Sequence, residues 1–168
     1  MNTMHRTQDG ELYLRNIIFG VSDSLVSTVG LLAGIDVSGT PIKTIVLTGV
    51  IYAFVEAFSM AVGSFLSEES AEEYEHDGRG GVLRPFWGSV IMFLAFVLAS
   101  FIPIAPYLFF SASAALTWSI ANSIAALAAV GIVSARIVHV DPRRQAIKTA
   151  VLGGAAILLG VVVGKIVK

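Results

Sequence analysis

The chain holds 168 residues, 55% of them hydrophobic and 14% charged, with a mean hydropathy of +0.80. A soluble domain carries roughly a quarter charged residues, so a soluble globular protein is excluded. Eleven Lys and Arg against twelve Asp and Glu give a net charge of −1, which offers no basic field to gather nucleic acid, and the lack of Cys removes disulfides, iron–sulfur ligation and thiolate zinc sites.

In chain order, the first sixteen residues are polar and lack the short apolar core and small-residue cleavage site of a signal peptide, so the first apolar segment is expected to be retained. Apolar runs broken by charge or by Pro and Gly then predict five membrane-spanning helices over 17–35, 42–66, 86–102, 107–132 and 146–167. Gly39 and Pro41 mark the first connection, with Pro41 placed to open the second helix. The uncharged Pro103-Ile104-Ala105-Pro106 reads as a tight turn between the third and fourth helices. Beyond Leu66 an acidic extension, 67–78, is expected to continue the second helix until Gly78. The whole chain, 1–168, is one small all-α integral membrane domain. Eight of the eleven cations lie in the amino terminus and in the second and fourth connections. By the positive-inside rule these segments are expected in the cytosol and, with an odd number of spans, the carboxyl terminus outside.

Polar groups inside the spans carry the functional argument. An ionised carboxylate at mid-bilayer costs about 2.5–3.5 kcal/mol on insertion scales, yet Asp23 sits in the first span and Glu56 in the second, with no Lys or Arg away from the span ends to pair with. Met60 follows Glu56 by one turn and shares its face. The plain reading is that both acids are protonated and bonded to hydroxyls such as Ser22, Ser27 or Ser59. The functional reading, favoured by two acids on adjacent helices, is cation or proton handling. In the acidic extension Glu68, Glu69, Glu72, Glu73, Glu75 and His76 crowd one helix end, where like charges four residues apart repel and face the negative end of the helix dipole. Either arginines such as Arg84 neutralise them, or they collect metal, and oxygen ligands with one His suit Mn²⁺ or Fe²⁺, and also Mg²⁺ or Ca²⁺, better than Cu⁺ or a structural zinc. Asn122, mid-span in the fourth helix, reads as interhelical glue, and Gly160 and Gly164 as a small-residue pair that permits close packing. No nucleophile–base arrangement or phosphate loop is present, so an enzyme is not expected.

With these residues in view, the chain resembles the vacuolar iron transporter family, the yeast calcium-cross-complementer and plant iron-transporter type. The matching stretches are Phe19-Gly20-Val21-Ser22-Asp23-Ser24-Leu25, Leu31-Leu32-Ala33-Gly34, the run from Glu56 through Ser59-Met60 and Gly63 to Ser67, Ile102 to Tyr107, and the Gly-rich last helix. The resemblance implies a five-helix homodimer that exports Fe²⁺ or Mn²⁺ from the cytosol against protons. It implies Asp23 and Met60 as pathway ligands, with no permanently bound cofactor. Tyr52 stands where the family often has a glutamate, one turn before Glu56, and the long cytosolic metal-collecting domain of larger members is reduced to Glu68 to Asp77. The membrane is expected to be the plasma membrane in a prokaryote and an organelle membrane in a eukaryote. The alternatives are a proton-coupled exporter of organic cations and a non-transporting membrane scaffold or metal-responsive regulator.

Overall fold

A computed structural model of the chain describes residues 2–75 and 80–167, and these form helices joined by short connections. They are α1 (Asn2–Val37), α2 (Ile42–Glu75), α3 (Leu83–Ile104), α4 (Pro106–Phe109), α5 (Ala112–Val138) and α6 (Pro142–Val167). Five of the six are long and apolar enough to cross a membrane. The exposed Leu, Val, Ile and Phe side chains along α2, α5 and α6 then meet lipid, which solvates them as a core would. The two tryptophans fall near opposite ends of the bundle. Trp87 sits edge-on to Phe86 where α3 begins and Trp118 stacks on Phe110 near the start of α5, the levels at which amphipathic rings favour the bilayer interface.

Helix boundaries depart from the hydropathy reading where polar residues extend a helix past the apolar run. The first helix, expected from residue 17, starts at Asn2; α2 continues past Leu66 to Glu75, through the segment expected to extend it. The expected stop at Gly78, like His76, lies outside the described residues. At the start of α6 the expected residue 146 moves back to Pro142, because Asp141 accepts a bond from the Arg143 amide at 2.9 Å and so caps the helix ahead of its apolar stretch. The largest correction concerns 103–111. Rather than a tight turn at Pro103, α3 runs through Pro103 to Ile104, a short α4 follows, and the fourth span begins at Ala112 instead of 107. Pro103 is tolerated because it lies in the last turn, and its carbonyl accepts a hydrogen bond from Ser119 at 2.8 Å.

α1 is the centre of the bundle. Half of its apolar window is buried, against 11% for α6, and it packs on α3, α6, α5 and α2. Glycines allow this. Gly30 and Gly34 of α1 cross Gly160 and Gly164 of α6 so closely that a Cβ at Gly34 would stand 2.7 Å from the Gly160 carbonyl oxygen, and one at Gly160 or Gly164 would collide with the α1 backbone. The small-residue pair read from the sequence is therefore half of a real four-glycine crossing. Polar ties also join the helices: Ser24 donates to the Phe96 carbonyl at 2.7 Å and Thr149 to the Leu127 carbonyl at 2.8 Å, bonds worth about 0.6 kcal/mol each in membrane helices. Asn122 does not act as glue within the chain. It is exposed, and the link from α5 to α3 comes from buried Ser119 instead.

At the α1–α2 connection the chain reverses through Gly39, at φ 86°, a left-handed value open to glycine; its amide closes on the Asp36 carbonyl at 2.9 Å. Tyr107 of α4, 2% exposed, packs into this end against Leu32 and Ile45. Its hydroxyl approaches the Asp36 carboxylate, yet neither oxygen reaches hydrogen-bond geometry.

Candidate metal pathway between the first two helices

Antiparallel α1 and α2 meet with a constant register, so a step of one turn along one helix matches a step back along the other. Ser27 stands by Tyr52, and Asp23 faces Glu56 closely enough for their charges to interact. Further along, Ser64 donates to the Asn16 side-chain oxygen at 3.2 Å, and Arg15 forms an ion pair with Glu68. The sequence alone placed Asp23 and Glu56 on neighbouring helices; the register brings them to one level. Both are half-buried, and among the described residues no side-chain hydrogen bond reaches either carboxylate. Ser27, one of the hydroxyls expected to hold an acid, donates instead to the Asp23 backbone carbonyl at 2.7 Å. Two half-buried carboxylates near enough for their charges to interact, with no donor to either, leave negative charge that a cation would offset.

Met60 lies one turn from Glu56 on the same face of α2. It packs with Tyr52 and Phe93 against Ala57, Phe96 and Val97 and lines a cleft of about 280 Å³ that also takes in Arg15, Asn16, Ser64, Glu68 and Met92. On the far side of Arg15 and Glu68 a second, polar cavity of about 320 Å³ is lined by Glu11, Glu75 and Arg84.

The acidic extension is partly neutralised. Glu68 pairs with Arg15 of α1, and Glu72 with Arg84 of α3 at 2.5 Å, so the like-charge crowding on α2 is relieved by one arginine from each neighbouring helix. Gly80 packs on the backbone of Glu72 and Glu73, where a Cβ would come within 2.7 Å. Glu69 is half-buried, and Glu73 and Glu75 are exposed. Among the described residues no group of three or more His, Cys, Asp or Glu is close enough to hold a metal ion, and His76 lies outside them. Arg84 was among the neutralising partners expected; Arg15, Glu11, Asn16 and Met92 were not singled out for this site.

Comparison with known proteins agrees with this picture of helices. A model of the VIT family matches residues 14–81 and 77–165, segments that span α1 to α2 and α3 to α6. No curated protein matches the chain.

Proposed function

Since the chain belongs to the VIT family, the vacuolar iron transporters, and is a multi-pass integral membrane protein of a metal-transporting family, we propose that it carries Fe²⁺ or Mn²⁺ out of the cytosol along the α1–α2 seam in exchange for protons. The observation that carries this reading is the pair Asp23 and Glu56, facing each other across the seam with Met60 one turn away. Each acid alone would cost about 2.5–3.5 kcal/mol at mid-bilayer. A divalent cation neutralises both at once, and after its release two protons restore the uncharged state, which gives the exchange its stoichiometric logic. Met60 adds a thioether that Fe²⁺ accepts and Mg²⁺ or Ca²⁺ does not.

The seam is open on one side in a single chain. Ser59, Gly63 and Ser67, spaced four apart, are exposed on α2 beside Met60, and a second copy related by a two-fold axis would close it and duplicate its ligands. The excess of cations at the amino terminus and in the two charged connections supports a cytosolic amino terminus, so that Arg15, Glu68 and the polar cavity beyond them form the entrance.

The test is metal uptake into sealed vesicles holding the purified protein, with and without a pH gradient, together with the particle mass in detergent. Asp23→Asn and Glu56→Gln keep size and hydrogen bonding but can neither neutralise a cation nor release a proton; each is expected to lower Fe²⁺ and Mn²⁺ flux at least about tenfold, some 1.4 kcal/mol or more in the barrier, in a particle of unchanged two-chain mass. Parent-level flux in both variants would return the acids to a structural role.

A further inference from the structure

One to two turns from the facing acids, toward Arg15, donors from three helices converge on the 280 Å³ cleft: Asn16 from α1, Met60 and Ser64 from α2, and Met92 from α3. The chain has four methionines. Two, Met1 and Met4, lie at the amino terminus, and both of the others meet here. The Met92 sulfur lies over Gly20, where an added methyl carbon would stand 3.3 Å from it. Gly20 in turn is three residues from Asp23, about 4.5 Å of helix rise. Asn16 is 4% exposed, and its amide nitrogen has no partner while its oxygen accepts from Ser64.

Glu68 is the one anionic side chain among the described residues lining this cleft, and it is held by Arg15. The guanidinium side is 64% exposed and the carboxylate side 15%. The same two residues line the neighbouring cavity with Glu11 and Glu75, so the ion pair is the partition between the two spaces. A mostly exposed guanidinium can return to water, whereas the carboxylate stays facing the cleft.

We propose that this cleft is a second cation site, ahead of Asp23 and Glu56, for a divalent ion that accepts sulfur, with the Met60 and Met92 thioethers, the Asn16 or Ser64 oxygen and the Glu68 carboxylate as donors, and with Arg15 standing in for the ion until it arrives. The proposal rests on the transport reading for its place in a pathway but not for its chemistry. Neutral sulfur gives a hard ion nothing in return for a lost water, while Fe²⁺ gains from it. The site's single carboxylate becomes available only when a cation displaces the arginine, so entry and opening are one event.

Equilibrium binding to the full chain in detergent, under anaerobic conditions, tests this with Fe²⁺ and Mg²⁺ as probes. Arg15→Gln removes the competing cation and is expected to tighten Fe²⁺ binding by about threefold or more, and Met92→Leu to weaken Fe²⁺ about fivefold while leaving Mg²⁺ unchanged. Glu68→Gln should weaken both ions. The double variant Asp23→Asn with Glu56→Gln should keep the Fe²⁺ response to Arg15→Gln, since it leaves this cleft intact. Iron X-ray absorption on that double variant should show a sulfur shell, a readout that holds even if Met92→Leu fails to fold. Fe²⁺ affinity indifferent to Arg15→Gln, or an iron shell of oxygen and nitrogen alone, overturns the site. Metal flux in vesicles alongside such indifference leaves the transport reading standing; a protein that moves no metal yet binds Fe²⁺ with the stated pattern keeps the site and removes the transport reading.

Discussion

α1 meets α6 and α2 along seams of opposite character. Against α6 it presents Gly30 and Gly34 to Gly160 and Gly164, backbone against backbone, with no charged group between them. Against α2 it presents Asn16, Asp23 and Ser27 to Ser64, Glu56 and Tyr52, with clefts left between the helices, and α2 leans more on α3 than on α1. In lipid no hydrophobic force drives helices together, so close contact of small residues must hold them. The glycine seam supplies that contact, and α1 can therefore carry the half-buried Asp23 on its other side without the bundle depending on it.

Variants can break this contrast from either side, and the largest effect is expected on the glycine seam. Gly160→Val drives a side chain into the backbone of Gly30 and should cost about 3 kcal/mol, the upper part of the range for overpacking, seen as loss of the folded particle or a lowered melting temperature in detergent. Gly154 has nothing within 4 Å of an added Cβ, so Gly154→Ala should instead gain up to about 1 kcal/mol from helix propensity. Equal melting of Gly160→Val and the parent would show that the seam does not hold the bundle.

On the polar seam, Met60→Leu should leave melting within about 1.5 kcal/mol of the parent yet reduce Fe²⁺ flux about fivefold with Mg²⁺ leak level, because only the sulfur is lost. Undiminished Fe²⁺ flux would make Met60 packing alone. A smaller change is expected beyond the seam. Replacing Glu69 and Glu73 by Gln, which spares the pairs Glu68–Arg15 and Glu72–Arg84, should raise the metal concentration for half-maximal flux about twofold. The same change should stabilise the helix end by about 0.2–0.5 kcal/mol per relieved repulsion. An unmoved half-saturation would assign these two acids to a solvated cap.

The smallest effect is at the opposite end of α1. Burial first, and the Asp36 carboxylate second, push the Tyr107 phenol well above its ordinary value of 10.0. The unfolded chain therefore ionises this group first as pH rises. Its contribution to stability is complete below pH 10.0 and is lost as pH climbs from there through the raised folded value. Tyr107→Phe should flatten the alkaline limb of a melting-temperature profile above that pH and shift the neutral plateau by less than about 1 kcal/mol, since the hydroxyl makes no bond that the variant would lose. An alkaline limb unchanged in Tyr107→Phe would place the responsible group elsewhere.

Five long helices, the two misplaced acids and Met60 could be read from hydropathy and helical spacing because those signals are local. The elbow at 103–111 could not, since a Pro ends a helix in most settings, whereas Pro103 falls inside the last turn of α3, with its carbonyl bonded to Ser119 of α5. Arg15 reads as a topological cation and Met92 as a filler of an apolar helix. Their convergence with Glu68 and Met60 depends on how three helices align, and partners such as Asn16 and Ser64 lie 48 residues apart. The Gly160–Gly164 spacing was visible but ambiguous, because its other half, Gly30 and Gly34, belongs to a different helix. The polar start of α1 was hidden by the same rule that found the spans, which measures apolarity rather than helix formation.

α1 and α2 have 36 and 34 residues against 22 to 27 for α3, α5 and α6, so at 1.5 Å per residue each is more than about 50 Å long where the hydrocarbon layer is about 30 Å. Both overrun it at the Arg15–Glu68 end. Each is a continuous rod there. A tilt of one rod against the other at the level of Asp23 and Glu56 would therefore be enlarged, as in a pair of shears, at the tips, where a partner or a reporter label could read it without entering the membrane.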